Sequence, residues 1–279
     1  MVGPCVDGAH FSHKSSGIDF GLTGREALLN KTSPGGSMTS EIRVAKRDGG
    51  ILEIALNAPA AGNALSAEMA LDVTAALTNL DPETRAVLFT GDGADFCAGR
   101  RATMPPPGAR KTALELKALI ADPVLDFYEV LRNVPVPLIA KVRGKAAGVG
   151  CALAALADVA IAADTAEFSV PEMNHDIAPT LVLTALAERV TRTTLARMVY
   201  TRDVIKAAEA KEIGIIAIVV PEAQLDAEVE RILAQLSKNT PPVVRGIKTY
   251  LNTSMEMSFA ARKVHAGLIN GIVTGEKFR

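Results

Sequence analysis

The sequence predicts an α/β domain built in layers, and three observations lead there. Short apolar runs that read as strands alternate with helical patterns through the first half of the chain. The second half is mostly amphipathic helix. Between them a glycine-rich segment, Arg143 to Leu153, joins an apolar strand to an apolar helix. Alternation of this kind argues against a helix bundle or a β-sandwich, and no internal repeat of fixed period is visible.

Taken in order, Ile51-Leu52-Glu53-Ile54-Ala55-Leu56 reads as a strand. Asn57 to Gly62 breaks it, and Ser66 caps a helix running to about Leu80. Ala86-Val87-Leu88-Phe89-Thr90-Gly91 is a second, buried strand, closed by a Gly-Asp-Gly turn before Phe96-Cys97-Ala98-Gly99-Arg100. Pro105 to Gly108 is a stop, and a helical run follows from roughly Lys111 to Leu131. Pro137 to Val142 is the third strand and leads into the glycine-rich segment. Asp158 to Ala163 is the fourth, after a very short helix. Beyond Pro179, helical runs are predicted near Leu181 to Arg189, Val204 to Glu212, Glu222 to Ser237 and Pro242 to Asn252, with a last helix from about Met257 to Val273. A strand-rich half followed by a helical tail reads as a core, residues 38–238, plus a packing or oligomerisation module, residues 239–279.

Residues 1–37 stand apart. They carry Ser15-Ser16-Gly17, Ser33-Pro34-Gly35-Gly36-Ser37 and two histidines, with little apolar periodicity and no apolar run of the secretory kind. They read as a leader or disordered extension outside the fold, with Met38 as a natural start. The chain as a whole is composed like a globular protein with a sizeable core: 279 residues, 48% hydrophobic, 30 Lys and Arg against 31 Asp and Glu. Near-zero net charge without a basic block argues against a nucleic-acid surface, and no apolar run is long enough to span a bilayer. Cys5, Cys97 and Cys151 are too few and too scattered for a disulfide framework and fit no zinc spacing, so a reducing cytoplasm is expected and no metal.

A glycine-rich strand-to-helix turn aims backbone N–H groups at a ligand, because the first turn of a helix leaves its donors unsatisfied and carries partial positive charge. Phosphate and oxyanion are both served by it. A dinucleotide fingerprint needs G-x-G-x-x-G, yet Gly148-Val149-Gly150 is followed by Cys151, Ala152 and then Leu153 where the third glycine belongs. A Walker loop fails as well, since no Gly-Lys-Ser/Thr follows. A plain change of direction stays open on this segment alone.

The neighbouring segments narrow the choice. Asn63-Ala64-Leu65-Ser66-Ala67-Glu68-Met69, Phe96-Cys97-Ala98-Gly99, Gly144 to Asp158, Phe168-Ser169-Val170-Pro171-Glu172-Met173, and Ala208 to Ile216 followed by Val219-Val220-Pro221 occur in this order. Together they resemble the enoyl-CoA hydratase/isomerase family, the crotonases, over about Ile42 to Arg279. The resemblance implies a crotonase-like ββα superhelical core with a helical C-terminal oligomerisation region. It further implies a homotrimer or homohexamer and an acyl-CoA substrate. No separate cofactor is implied, coenzyme A being part of that substrate.

The resemblance also implies site residues. The thioester carbonyl would sit between the backbone N–H groups of Ala98 and Val149, and Glu172 would be the general acid/base. Substrate contacts would fall to Ala60, Ala61, Asn63, Ala64, Gly99, Arg100, Gly148 and Pro171, with Asn57 to Gly62 as the wall for the adenine end. Read without the family, Glu172 is a loop carboxylate beside a proline, of the kind that is ordinarily solvated. Cys97 and Cys151 read as small core fillers.

Three positions depart from the family pattern. Val149 stands where glycine is usual, so its side chain must turn away from the thioester or narrow the pocket. Ala152 stands where hydratases carry a second glutamate, and a methyl group cannot activate water. One carboxylate suffices to move a proton along an enoyl thioester, so double-bond isomerisation or a non-standard hydration is expected. Arg101 stands where aspartate is common, and the Arg100-Arg101 pair could meet CoA phosphates or a substrate carboxylate, or form a surface salt bridge. Glu115, His175 and Asp176 are candidates for a displaced second acid, and Asp176 also reads as a loop-end cap. The alternative is a catalytically weak member that keeps the CoA pocket for binding.

Overall fold

The computed structural model describes residues 41–101, 105, 106, 108–275 and 278. The expected leader 1–37 and the start at Met38 lie outside the described residues.

Strand β1 (Ile42–Arg47) pairs antiparallel with β2 (Ile51–Leu56) through a turn at Asp48 to Gly50. Strand β1 is not among the sequence expectations, for a physical reason: it lies at the sheet edge and carries Arg43, Lys46 and Arg47, so no apolar run marks it. A 3₁₀ turn (Pro59–Ala61) leads to α1 (Ala67–Thr78), whose N-cap is Ser66: its hydroxyl accepts the Met69 N–H at 3.1 Å. Next come β3 (Ala86–Gly91), α2 (Ala113–Leu116), a π-helical turn (Lys117–Ala121) and α3 (Asp122–Asn133). The single run expected over Lys111 to Leu131 is thus a helix re-phased by a π turn, a feature that often accompanies functional sites.

Strand β4 (Leu138–Val142) is followed by β5 (Lys145–Ala147), α4 (Val149–Leu156), β6 (Val159–Ala163) and β7 (Glu167–Ser169). After a 3₁₀ turn (Glu172–His175) come α5 (Thr180–Leu186), α6 (Arg192–Thr201), β8 (Ile205–Lys206), α7 (Ala207–Glu212) and β9 (Ile218–Val220). The tail is α8 (Leu225–Leu236), α9 (Pro241–Ser254) and α10 (Phe259–Gly275).

Six strands form one sheet in the order β1-β2-β3-β4-β6-β9, parallel except for β1, and β5-β7-β8 form a second, small sheet. Because strand side chains alternate between faces, the large sheet divides the core in two. Leu52, Ile54, Leu56, Val87, Phe89, Leu138 and Ala140 face the larger cluster, which takes in α1, α3, α4 and α5. Ile51, Leu88, Ile139 and Ile161 face the other way, onto Leu225, Val229 and Leu233 of α8. The small sheet hangs beyond the carboxyl ends of β3 and β4, where open α/β sheets place their ligands. Among the described residues no helix is long and apolar enough to cross a membrane.

Candidate active site

Backbone pairing brings three distant segments together. Cys97 bridges Ala146: the Cys97 N–H donates to the Lys145 carbonyl and the Ala147 N–H donates to the Cys97 carbonyl, both at 3.0 Å. Strand β5 then pairs in parallel with β7, and the Gly148 N–H donates to the Ser169 carbonyl at 2.9 Å. The Phe96 to Arg100 segment, the first turn of α4 and the Pro171-Glu172 turn therefore meet at one place. Gly150 permits the closeness, since a Cβ there would stand 2.0 Å from the Cys97 carbonyl oxygen. Any side chain at position 150 would push α4 away from the Cys97 segment.

Two N–H groups point outward from this junction. Val149 is the first residue of α4 and its N–H has no partner among the described residues, as expected for a helix N-terminus. Its side chain is buried in the main core, so the valine turns inward and leaves its amide open. The second open amide is not that of Ala98. The Ala98 N–H donates to the Gly62 carbonyl at 2.8 Å and is unable to serve a ligand, which corrects the expectation from the motif. Leu65 bridges Arg100 instead, donating to the Gly99 carbonyl at 2.9 Å and accepting from the Arg101 N–H at 2.9 Å. In such a parallel bridge the N–H of the central residue turns away from its partner strand. The Arg100 N–H accordingly has no partner among the described residues, after Gly99 at φ +143° has broken the alternation.

Glu172 opens the 3₁₀ turn after Pro171, and its carboxylate lies against the backbone of Gly148: a Cβ there would stand 2.5 Å from Oε1. With Gly148 at φ +53° as the N-cap of α4, the one residue that can adopt this turn also leaves space for the carboxylate. Burial pushes the Glu172 carboxyl above its ordinary value of 4.5, and an internal hydrogen bond from its own backbone N–H offsets part of the rise. Its Oε2 is buried and has no hydrogen-bond partner among the described residues.

Helix α3 contributes a second orphan that the sequence did not single out. Tyr128 is 4% exposed, and its hydroxyl is buried without a partner among the described residues. It lies on the inward stripe Val124, Phe127, Tyr128, Leu131, where the sequence signal is one polar tip on an otherwise apolar face. An unpaired buried hydroxyl costs about 1–3 kcal/mol. Burial first, and then the charge of Glu172, raise the phenol's pKa, so it stays protonated. Cys97 is pushed up to about 11 by burial, and Cys151 to about 12 by burial and the Glu172 charge. Both remain thiols, fillers rather than nucleophiles. Arg100 is half-buried, its guanidinium donating to the Ile120 carbonyl in the π turn at 3.0 Å and lying within electrostatic reach of Tyr128.

The remaining expected residues divide. Gly99, Arg100, Gly148 and Pro171 gather at the junction. Ala60 and Ala61 are exposed on the 3₁₀ turn whose end, Gly62, abuts Ala98, and Ala64 follows half-buried. Asn63 is a correction, because its side chain is a structural clamp. It is fully buried, accepting the Ala58 N–H at 2.9 Å and donating to the Asp92 and Asp95 carbonyls at 2.8 and 2.7 Å, with nothing left for a substrate. Arg101 pairs with Glu41 in the surface salt bridge that its alternative reading foresaw. Glu115 is exposed and occupied by Thr112 and Lys111, and His175 is exposed. Asp176 adopts φ +55° and ends the 3₁₀ turn through its own N–H, the cap that was foreseen. Ala152 is completely buried in α4. No second carboxylate joins Glu172 among these candidates.

Comparison with known proteins agrees with this geometry. The family model described as enoyl-CoA hydratase/isomerase matches residues 46–273. A probable enoyl-CoA hydratase of Mycobacterium bovis is 33% identical over 232 residues, covering 80% of this chain and 86% of the relative. The crystal structure of an enoyl-CoA hydratase from Mycobacterium smegmatis superposes with a TM-score of 0.76 at 26% identity, over 86% of this chain and 97% of that one. A Thermobifida fusca YX protein solved in complex with acetoacetyl-CoA superposes with a TM-score of 0.74 at 26% identity, over 85% and 95%.

Proposed function

The chain belongs to the enoyl-CoA hydratase/isomerase family of enzymes, and from that membership we propose that it acts on an acyl-CoA thioester through an enolate, with Glu172 as the acid/base. The observation that carries the reading is the convergence of two unoccupied backbone N–H groups, those of Arg100 and Val149, beside a buried carboxylate. Removing a proton next to a thioester carbonyl builds negative charge on its oxygen. Donors already in place stabilise that charge without reorganising, and one such donor typically contributes roughly 10² to 10³ in rate. The side chain of Val149 is buried and that of Arg100 is held by the Ile120 carbonyl, so neither needs to stand between its amide and the thioester.

Glu172 takes the proton from the α carbon and returns it there or at the γ carbon. Its raised pKa suits the role, because a base of moderate strength must be ionised in order to act and must also hold the proton it accepts. The coenzyme A moiety is placed along the exposed Ala60-Ala61 turn and Ala64, with its thioester reaching past Gly99 and Gly148. The test is exchange of the α-protons of a saturated acyl-CoA with deuterated solvent. Exchange well above the protein-free rate is expected. Exchange at background, with the acyl-CoA still bound, would make this a binding member of the family and end the catalytic reading.

We further propose self-association into a trimer or hexamer through the C-terminal helices. Val264, Leu268 and Ile272 form a stripe at i, i+4, i+8 on α10 and are all exposed, as are Phe259 at its start and Ile247, Leu251 and Met255 at α9. No residue of α10 is buried within the chain, although the helix is 17 residues long. A sedimentation mass of three or six chains is expected; a single-chain mass at micromolar concentration rejects the proposal.

A further inference from the structure

We propose that the Tyr128 hydroxyl is the second polar group of the active site, holding together with Glu172 Oε2 the oxygen of a water molecule that adds to a 2-enoyl thioester. The inference rests on the acyl-thioester reading above and extends it from proton shuffling to hydration.

Both atoms are buried and both lack a partner, although they lie within electrostatic reach of each other. A direct Tyr128–Glu172 hydrogen bond would satisfy both and is absent, which leaves the pair to a third polar atom. Their common neighbour is the first turn of α4. Helix α3 packs on α4, Gly148 at the N-cap lies against the Glu172 carboxylate, and the thiol of Cys151 is within electrostatic reach of both Glu172 and Tyr128. Cys151 directly precedes Ala152, the position that lacks a carboxylate. A tyrosine reaching in from the facing helix supplies a polar atom within reach of Glu172, while α4 carries no second carboxylate at position 152. Nothing in packing requires the hydroxyl, since phenylalanine would fill the stripe beside Phe127 and Leu131 equally well.

The step balances with one carboxylate. Water gives a proton to Glu172 as its oxygen bonds to C3 of the enoyl group. The electrons of the C2–C3 double bond move onto the thioester oxygen, held by the Arg100 and Val149 amides. The enolate then collapses as Glu172 delivers the same proton to C2. Tyr128 keeps its own proton throughout, as its raised pKa requires, and fixes the water by hydrogen bonding.

The experiment compares the wild-type protein with Tyr128→Phe in two assays: hydration of but-2-enoyl-CoA and α-proton exchange of a saturated acyl-CoA. The substitution is expected to lower kcat for hydration about 10- to 100-fold, the effect of one hydrogen bond to a reacting oxygen. It should leave KM and exchange within about threefold of wild type, and the thermal midpoint at or above the wild-type value. Hydration unchanged in Tyr128→Phe overturns the inference. So does a wild-type protein that exchanges α-protons and fails to hydrate, or a variant in which hydration, exchange and thermal midpoint fall together. Absence of exchange in the wild type overturns the underlying catalytic reading instead.

Discussion

Glu172→Gln is expected to lower α-proton exchange by about 10² to 10⁴, because it removes the group that transfers the proton while leaving shape and oxyanion donors in place. KM should change little, since the substitution leaves untouched the amides of Arg100 and Val149 that are proposed to bind the carbonyl. The pH dependence sharpens the prediction. Burial raises the Glu172 pKa above its ordinary 4.5, so the acid limb of the wild-type rate profile should lie above that value. The stability consequence has a definite sign. Between the unfolded and the raised folded value, the native state binds the proton more tightly than the unfolded chain does. This contribution is complete below pH 4.5 and is lost as the pH rises through the folded pKa. Thermal melts across that window should fall more steeply for the wild type than for Glu172→Gln, which has no such proton to lose. Retention of exchange within tenfold of wild type, or an acid limb at or below 4.5, would reject Glu172 as the base.

The large sheet was readable where apolar runs are continuous. Ile51–Leu56 and Ala86–Gly91 appear with the bounds the sequence predicts, because strands inside the sheet have no solvent-facing side to interrupt them. Strands β5, β7 and β8 span two or three residues each and exist only through pairing with distant partners, so no local pattern announces them. The site divides along the same line. Motif order locates the two amide-bearing turns and Glu172. Which amide is open depends on what Gly62 and Leu65 bind, more than thirty residues before the Ala98 and Arg100 amides. The motif places Ala98 in the right loop; only the backbone pairing turns the choice to Arg100. Tyr128 was passed over for a related reason, since one aromatic on an amphipathic helix reads as core until its hydroxyl is found with nothing to bind.

Asp158→Ala is expected to be the most damaging single substitution for stability outside the sheet, at about 3–5 kcal/mol. Asp158, at the entrance to β6, accepts from the Lys248 ammonium of α9 through both oxygens at 2.8 Å and from the Leu138 N–H at 2.7 Å. Lys248 is 3% exposed and Asp158 20%. That difference predicts an asymmetry. Removing the aspartate strands a buried ammonium and orphans the Leu138 N–H at the start of β4. Lys248→Met leaves a carboxylate that still accepts Leu138 and still meets water. Asp158→Ala should therefore lose clearly more than Lys248→Met, with a thermal midpoint lower by roughly 6 to 20 °C. The double variant should recover the part of that loss due to the stranded ammonium, since methionine carries no charge, while the orphaned Leu138 N–H remains. Helix α9 keeps two weaker tethers, Asn252 to the Arg132 carbonyl and Arg245 to the Asp81 carbonyl, at 2.8 and 3.2 Å. Freed from Asp158, α9 and the α10 packed on it would be held less firmly to the core, so the association proposed through these helices should weaken in sedimentation. Equal losses from the two single variants, without recovery in the double variant, would mean that water reaches Lys248 in solution and that α9 is held by its apolar face alone.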